Sequence, residues 1–134
     1  MLHNNKTELA LYRLDMAKER LESAKLLLDN NSYKDSIGRS YYAIFTAARA
    51  LLAMDGEDFA RHAGVISYFQ KTYIKSGVFD VKYSRYISEA FQIRNNTDYA
   101  DFYIVSREDA EEQYQRAVEF YDTIGEYLQK QIQE

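Results

Sequence analysis

The chain has 134 residues, a formal net charge of −4 and no cysteine, so a disulfide framework and a thiolate metal site are both excluded. With 46% hydrophobic and 28% charged residues, its composition is that of a globular protein rather than a disordered one. The acidic balance argues against gripping nucleic acid by bulk electrostatics and leaves room only for a local basic patch.

One domain is expected over residues 1–134, because a chain this long buries about two thirds of its unfolded surface. No apolar run approaches the ~20 residues of a membrane span. The first six residues lack the apolar centre of a signal peptide. A cytoplasmic protein without membrane contact is therefore the expectation. The absence of proline lets helices run long. Thirteen tyrosines and no tryptophan suit bundle cores, dimer faces and base stacking alike, with ordinary packing the plainer reading.

The first helix is expected from Thr7 to about Asp29, with Leu14, Ala17, Leu21, Ala24 and Leu28 as a narrow apolar stripe. Asn30-Asn31-Ser32 closes it, since asparagine tolerates the left-handed cap. The second helix, Tyr33 to Met54, organises the chain. Ile37, Tyr41, Ile44, Phe45, Ala48, Leu51 and Leu52 form a buried stripe, and Ala43, Ala47 and Ala50 keep neighbouring faces small. A helix apolar on several faces belongs at the centre of a bundle. It ends near Asp55-Gly56, a turn signal, and its short link to the first helix makes an antiparallel hairpin.

The third helix is expected from Phe59 to Lys75. The fourth runs from Asp80 to Arg94 and stops in Asn95-Asn96-Thr97-Asp98, four residues that favour turns. Tyr99 to Val105 reads as irregular. Ser106 is the N-cap of the last helix, with Glu108 and Asp109 in its first turn. Residues 1–6 and 130–134 are expected to fray. The fold class is all-α, an up-and-down bundle of four or five helices.

The chemistry-bearing motifs are few. There is no phosphate loop, no HExxH and no GxSxG, and the histidines are His3 and His62. Neither has a glutamate three residues before it, so a carboxylate di-metal site is not expected, nor is any other metal or cofactor. Arg39, Tyr41 and Tyr42 cluster near the start of the second helix. Arg94-Asn-Asn-Thr-Asp98-Tyr99 closes the fourth. Arg94 reads either as part of a helix cap or as a bidentate phosphate clamp.

These segments together resemble the HEPN domain family, in particular its small stand-alone prokaryotic members. The resemblance rests on Arg39-Ser-Tyr-Tyr-Ala-Ile-Phe-Thr-Ala-Ala-Arg-Ala-Leu-Leu52, His62-Ala-Gly-Val-Ile-Ser-Tyr-Phe69 and Ile93-Arg-Asn-Asn-Thr-Asp-Tyr99, in that order. It implies a helical bundle that dimerises, often beside a nucleotidyltransferase-type partner in a toxin–antitoxin pair. It also implies a metal-independent ribonuclease motif, an arginine followed about four to six residues later by a histidine. Arg94 matches the arginine. Tyr99, Ala100 and Asp101 stand where the histidine would be, which puts cleavage in question, because a phenol with a pKa near 10 is a poor base at neutral pH. The expected function is a module that binds a nucleotide, RNA or a partner protein through Arg94, Asp98, Tyr99, Arg39 and Tyr42. The alternatives are a divergent endoribonuclease toxin using Arg94 with His62 or Tyr99, and a structural partner of a nucleotidyltransferase. A homodimer is expected from outward-looking tyrosines such as Tyr12, Tyr33, Tyr114 and Tyr127.

Overall fold

The computed structural model describes residues 5–133. They form α1 (Asn5–Asp29), α2 (Tyr33–Asp55), α3 (His62–Phe69), α4 (Lys82–Tyr99) and α5 (Arg107–Gln133), with α3 running on into a π-helical turn, Gln70–Ile74. Among these residues there is no strand, and the architecture is the expected all-α bundle. The expected fraying lies outside the described residues for 1–4 and 134; residues 5–6 and 130–133 are helical.

The stripe from Leu14 to Leu28 is buried and extends back through Arg13, Ala10 and Thr7. Asn31 adopts the left-handed conformation at φ 65°. Its N–H and that of Ser32 bond to the carbonyls of Leu28 and Leu27, at 3.1 and 2.8 Å. This is the Schellman closure that satisfies the last carbonyls of a helix. The chain then turns directly into α2. Every residue of the predicted α2 stripe is buried, as are Ala43, Ala47 and Ala50. α2 packs against α1, α3, α4 and α5. Each large apolar side chain so buried is worth about 1.5–3 kcal/mol, which makes α2 the principal source of the core. Gly56 ends it at φ 73°, where its N–H and that of Glu57 reach Ala53 and Leu52.

The third helix starts at His62 rather than Phe59. Asp58 accepts hydrogen bonds from Arg13 and Arg49, at 3.1 and 3.0 Å, and from the Phe59 N–H at 2.9 Å. These bonds hold the segment before His62 outside the helix, and Arg61 is extended. Phe59 instead folds over the first turn of α3, where its side chain meets Gly64 and its ring lies 5.7 Å from that of Tyr68. The π-helical turn buries Tyr73, and the hydroxyls of Tyr68 and Tyr73 both donate to Asp55. It also holds Gln70, whose side-chain amide reaches Ser84 and Ser88 on α4.

The fourth helix does not stop at Arg94 but runs to Tyr99. Arg94 pairs with Asp98 one turn later at 2.9 Å, and the Thr97 hydroxyl donates to the Arg94 carbonyl. Side chains that would favour a turn in isolation here support another turn of helix. Ser106 caps α5 as expected: its Oγ accepts from the Asp109 N–H at 3.1 Å, while Asp109 accepts from the Ser106 N–H at 3.3 Å. This is the reciprocal capping box.

A main core runs through all the helices, and a smaller one, Leu28, Ile37, Val105 and Ala110, lies at the α1–α2 turn. Of the four tyrosines expected to look outward, only Tyr12 is exposed. Tyr114 and Tyr127 pack against the main core and Tyr33 against the smaller one. Their rings cover apolar surface, which the sequence pattern assigned to solvent.

Candidate functional site

Tyr42 on α2 and Arg94 on α4 meet across the bundle. The Arg94 guanidinium donates to the Tyr42 hydroxyl at 2.9 Å and, through Nε, forms an ion pair with Asp98 at 2.9 Å. Its carbon lies 5.4 and 5.8 Å from the ring centres of Tyr42 and Tyr41, within cation–π range. The side chain is only 19% exposed, so its orientation is fixed before any ligand arrives. A guanidinium held this way keeps further donors for an anion.

Arg94, Asp98 and Tyr42 line a groove of about 540 Å³ whose opposite side comes from the first turns of α2, with Lys34, Asp35, Gly38 and Arg39. Lys34 and Arg39 have no ion-pair partner among the described residues. Asp98 is already neutralised by Arg94. Cations therefore outnumber uncompensated acids in this groove, although the whole chain is acidic.

His62 begins α3 and stacks on Phe45, ring centres 4.1 Å apart. Its Nδ1 lies 2.8 Å from the Tyr41 hydroxyl. Burial and the charges of Arg94 and Arg49 lower the His62 pKa, so the ring is neutral at pH 7. Burial pushes the Tyr41 phenol far above its ordinary value, with Arg94 opposing. From those two directions the hydrogen-bond sense is inferred: Tyr41 donates to Nδ1, which puts the imidazole proton on Nε2.

His62 and Arg94 thus contact the same tyrosine but open onto different grooves. His62 lines a second one, about 460 Å³, with Phe45, Arg49, Asp58, Phe59 and Ala60. Burial raises the Asp58 carboxyl, but the hydrogen bonds from Arg49 and the Phe59 N–H, together with both arginine charges, outweigh this and hold it low.

Arg94, Asp98, Tyr42 and Arg39 therefore stand together, and His62 lies one side chain away. Tyr99 does not join them: it ends α4 and is 76% exposed. The sequence reading missed Lys34, Arg49 and Asp58. The signal for Arg49 was present, since Arg39, Tyr42, Thr46 and Arg49 recur at three- and four-residue spacing along one face of α2. Among the described residues no three of His, Asp or Glu gather where they could hold a metal ion. No helix among them is long and apolar enough to cross a membrane.

A HEPN domain family model matches residues 10–127. A UPF0332 protein of Thermotoga maritima is 29% identical over 126 residues, which is 94% of this chain and 96% of that one. Two proteins of Methanocaldococcus jannaschii named as candidate toxins are also similar. One is 37% identical over 86 residues, 64% of either chain. The other is 30% identical over 115 residues, 86% of this chain and 78% of its own.

Proposed function

Because the chain belongs to the HEPN domain family, we propose that it is a small module that binds RNA or a nucleotide by its phosphates, in the groove between α2 and α4. The observation that carries this reading is the preset Arg94, held by Tyr42 and Asp98 and facing the unpaired Lys34 and Arg39. Phosphate oxygens suit a guanidinium whose geometry is already fixed, because little side-chain freedom is then lost on binding.

A second reading is a metal-independent endoribonuclease toxin, supported by the neutral His62 beside Tyr41 and by the toxin names of two relatives. In that reaction Arg94 holds the scissile phosphate, and His62, switched to the tautomer in which Nδ1–H donates to Tyr41 and Nε2 is free, takes the 2′-hydroxyl proton on Nε2. The 2′-oxygen then attacks phosphorus, and the 5′-oxygen leaves with a proton. We rank it second because His62 and Arg94 open onto different grooves.

Both readings meet in one experiment, incubation of labelled tRNA and mRNA with wild type, Arg94→Ala and His62→Ala. Binding without cleavage, weakened about tenfold or more in Arg94→Ala, supports the module. Cleavage lost in both variants supports the toxin. Neither binding nor cleavage rejects both and leaves the role of structural partner to a nucleotidyltransferase-type protein, the toxin–antitoxin arrangement. We also propose that the protein is a homodimer, and a monomer in sedimentation at micromolar concentration rejects it.

A further inference from the structure

The loop between α4 and α5 puts Phe102 97% and Ile104 86% into solvent, just after the exposed Tyr99. Phe102 also adopts φ 60°, a left-handed conformation in which a bulky residue is an outlier. Among the described residues the other left-handed positions are filled by Asn31, Gly56 and Gly77, as their backbone requires. Here an aromatic ring takes an unfavourable backbone and no core contact at once. The loop is nevertheless anchored: Val105 is buried and Tyr103 packs on the smaller core, holding Phe102 and Ile104 outward between fixed points. Beneath it lies a shallow groove of about 440 Å³ that includes Lys34 and Asp35, both shared with the Arg94 groove. An apolar shelf with one outward ring therefore abuts a cationic groove.

We propose that Phe102 is a base-stacking platform and that the ligand of the Arg94 groove is single-stranded RNA with an unpaired base. This rests on reading that groove as a phosphate site. Duplex RNA hides the faces of its bases, so only an unpaired base offers a surface that an exposed ring can cover. Lys34, beside Asp35 at the shelf's edge, leads into the groove where Lys34 and Arg39 outnumber the one uncompensated acid, a balance that suits a polyanion rather than an apolar protein face.

The test is fluorescence anisotropy with a short single-stranded oligoribonucleotide, competed by a duplex of the same length and by inorganic polyphosphate. Single strands should bind best. Phe102→Ala should weaken single-strand binding about tenfold and leave polyphosphate unaffected, Phe102→Tyr should retain binding, and Arg39→Ala should weaken both ligands. Phe102→Gly should raise the melting temperature, by relieving the backbone, while it loses RNA. This separates stacking from folding. If Phe102→Ala binds RNA like wild type while Arg39→Ala does not, the platform is overturned and the phosphate groove stands. If wild type binds neither RNA nor polyphosphate, both fall. If Phe102→Ala changes only sedimentation, the loop is a contact between copies and the platform is overturned.

Discussion

A single ionisable side chain ties the site to acid stability. His62 is neutral in the folded protein, its pKa lowered by burial and by Arg94 and Arg49. The unfolded chain takes up that proton near pH 6.5. Below this pH the unfolded state therefore binds more protons, and stability falls as pH drops from about 6.5 toward the folded pKa; above pH 6.5 the contribution is complete. Urea midpoints measured from pH 7.5 to pH 5 should decline for wild type, and His62→Gln, which keeps an acceptor for Tyr41, should flatten the upper part of that decline. An unchanged profile would mean that His62 is not held neutral. Nothing in the sequence around His62 foretold this. Its partners lie on α2 and α4, and the cause of the shift is a tertiary one.

At the scale of helices, legibility followed how local each determinant is. The ends of α1 and α2 could be read because Asn31 and Gly56 are backbone solutions written in one or two residues. Gly56→Ala tests this: a side chain at φ 73° is strained, and its Cβ would meet only the flexible end of Lys6, at 2.8 Å. A loss of about 1 kcal/mol in denaturant unfolding is expected, against a gain of about 0.5–1 kcal/mol for Gly38→Ala, inside α2 where the space is open. The start of α3 and the end of α4 could not be read in this way. One is set by Arg13, which lies far from Asp58 in sequence. The other is set by Arg94–Asp98 pairing, which reverses the turn preference of the residues it spans. The capping box at Ser106 was legible, being confined to a single turn.

For the whole molecule, the central place of α2 was legible from its apolar faces, and the all-α bundle followed. The groove was legible only in part. Arg39, Tyr42, Arg94 and Asp98 were named from sequence, but Lys34 reaches it only because the α1–α2 hairpin and the end of α4 converge. Tyr99 stays outside because α4 continues far enough to carry it past the groove. The central packing of α2 has a dynamic consequence. With neighbours on every side, its amides should exchange with deuterium only when the whole domain unfolds, whereas those of residues 95–99, partly to largely exposed at the rim, should exchange through local fraying. The groove thus has one immobile wall and one that breathes. A bound ligand should slow exchange at Arg39 and Tyr42 by the factor it adds to global stability, and should slow the α4 side by more than local fraying allows only if it closes that wall, so hydrogen exchange with and without RNA should show which wall closes.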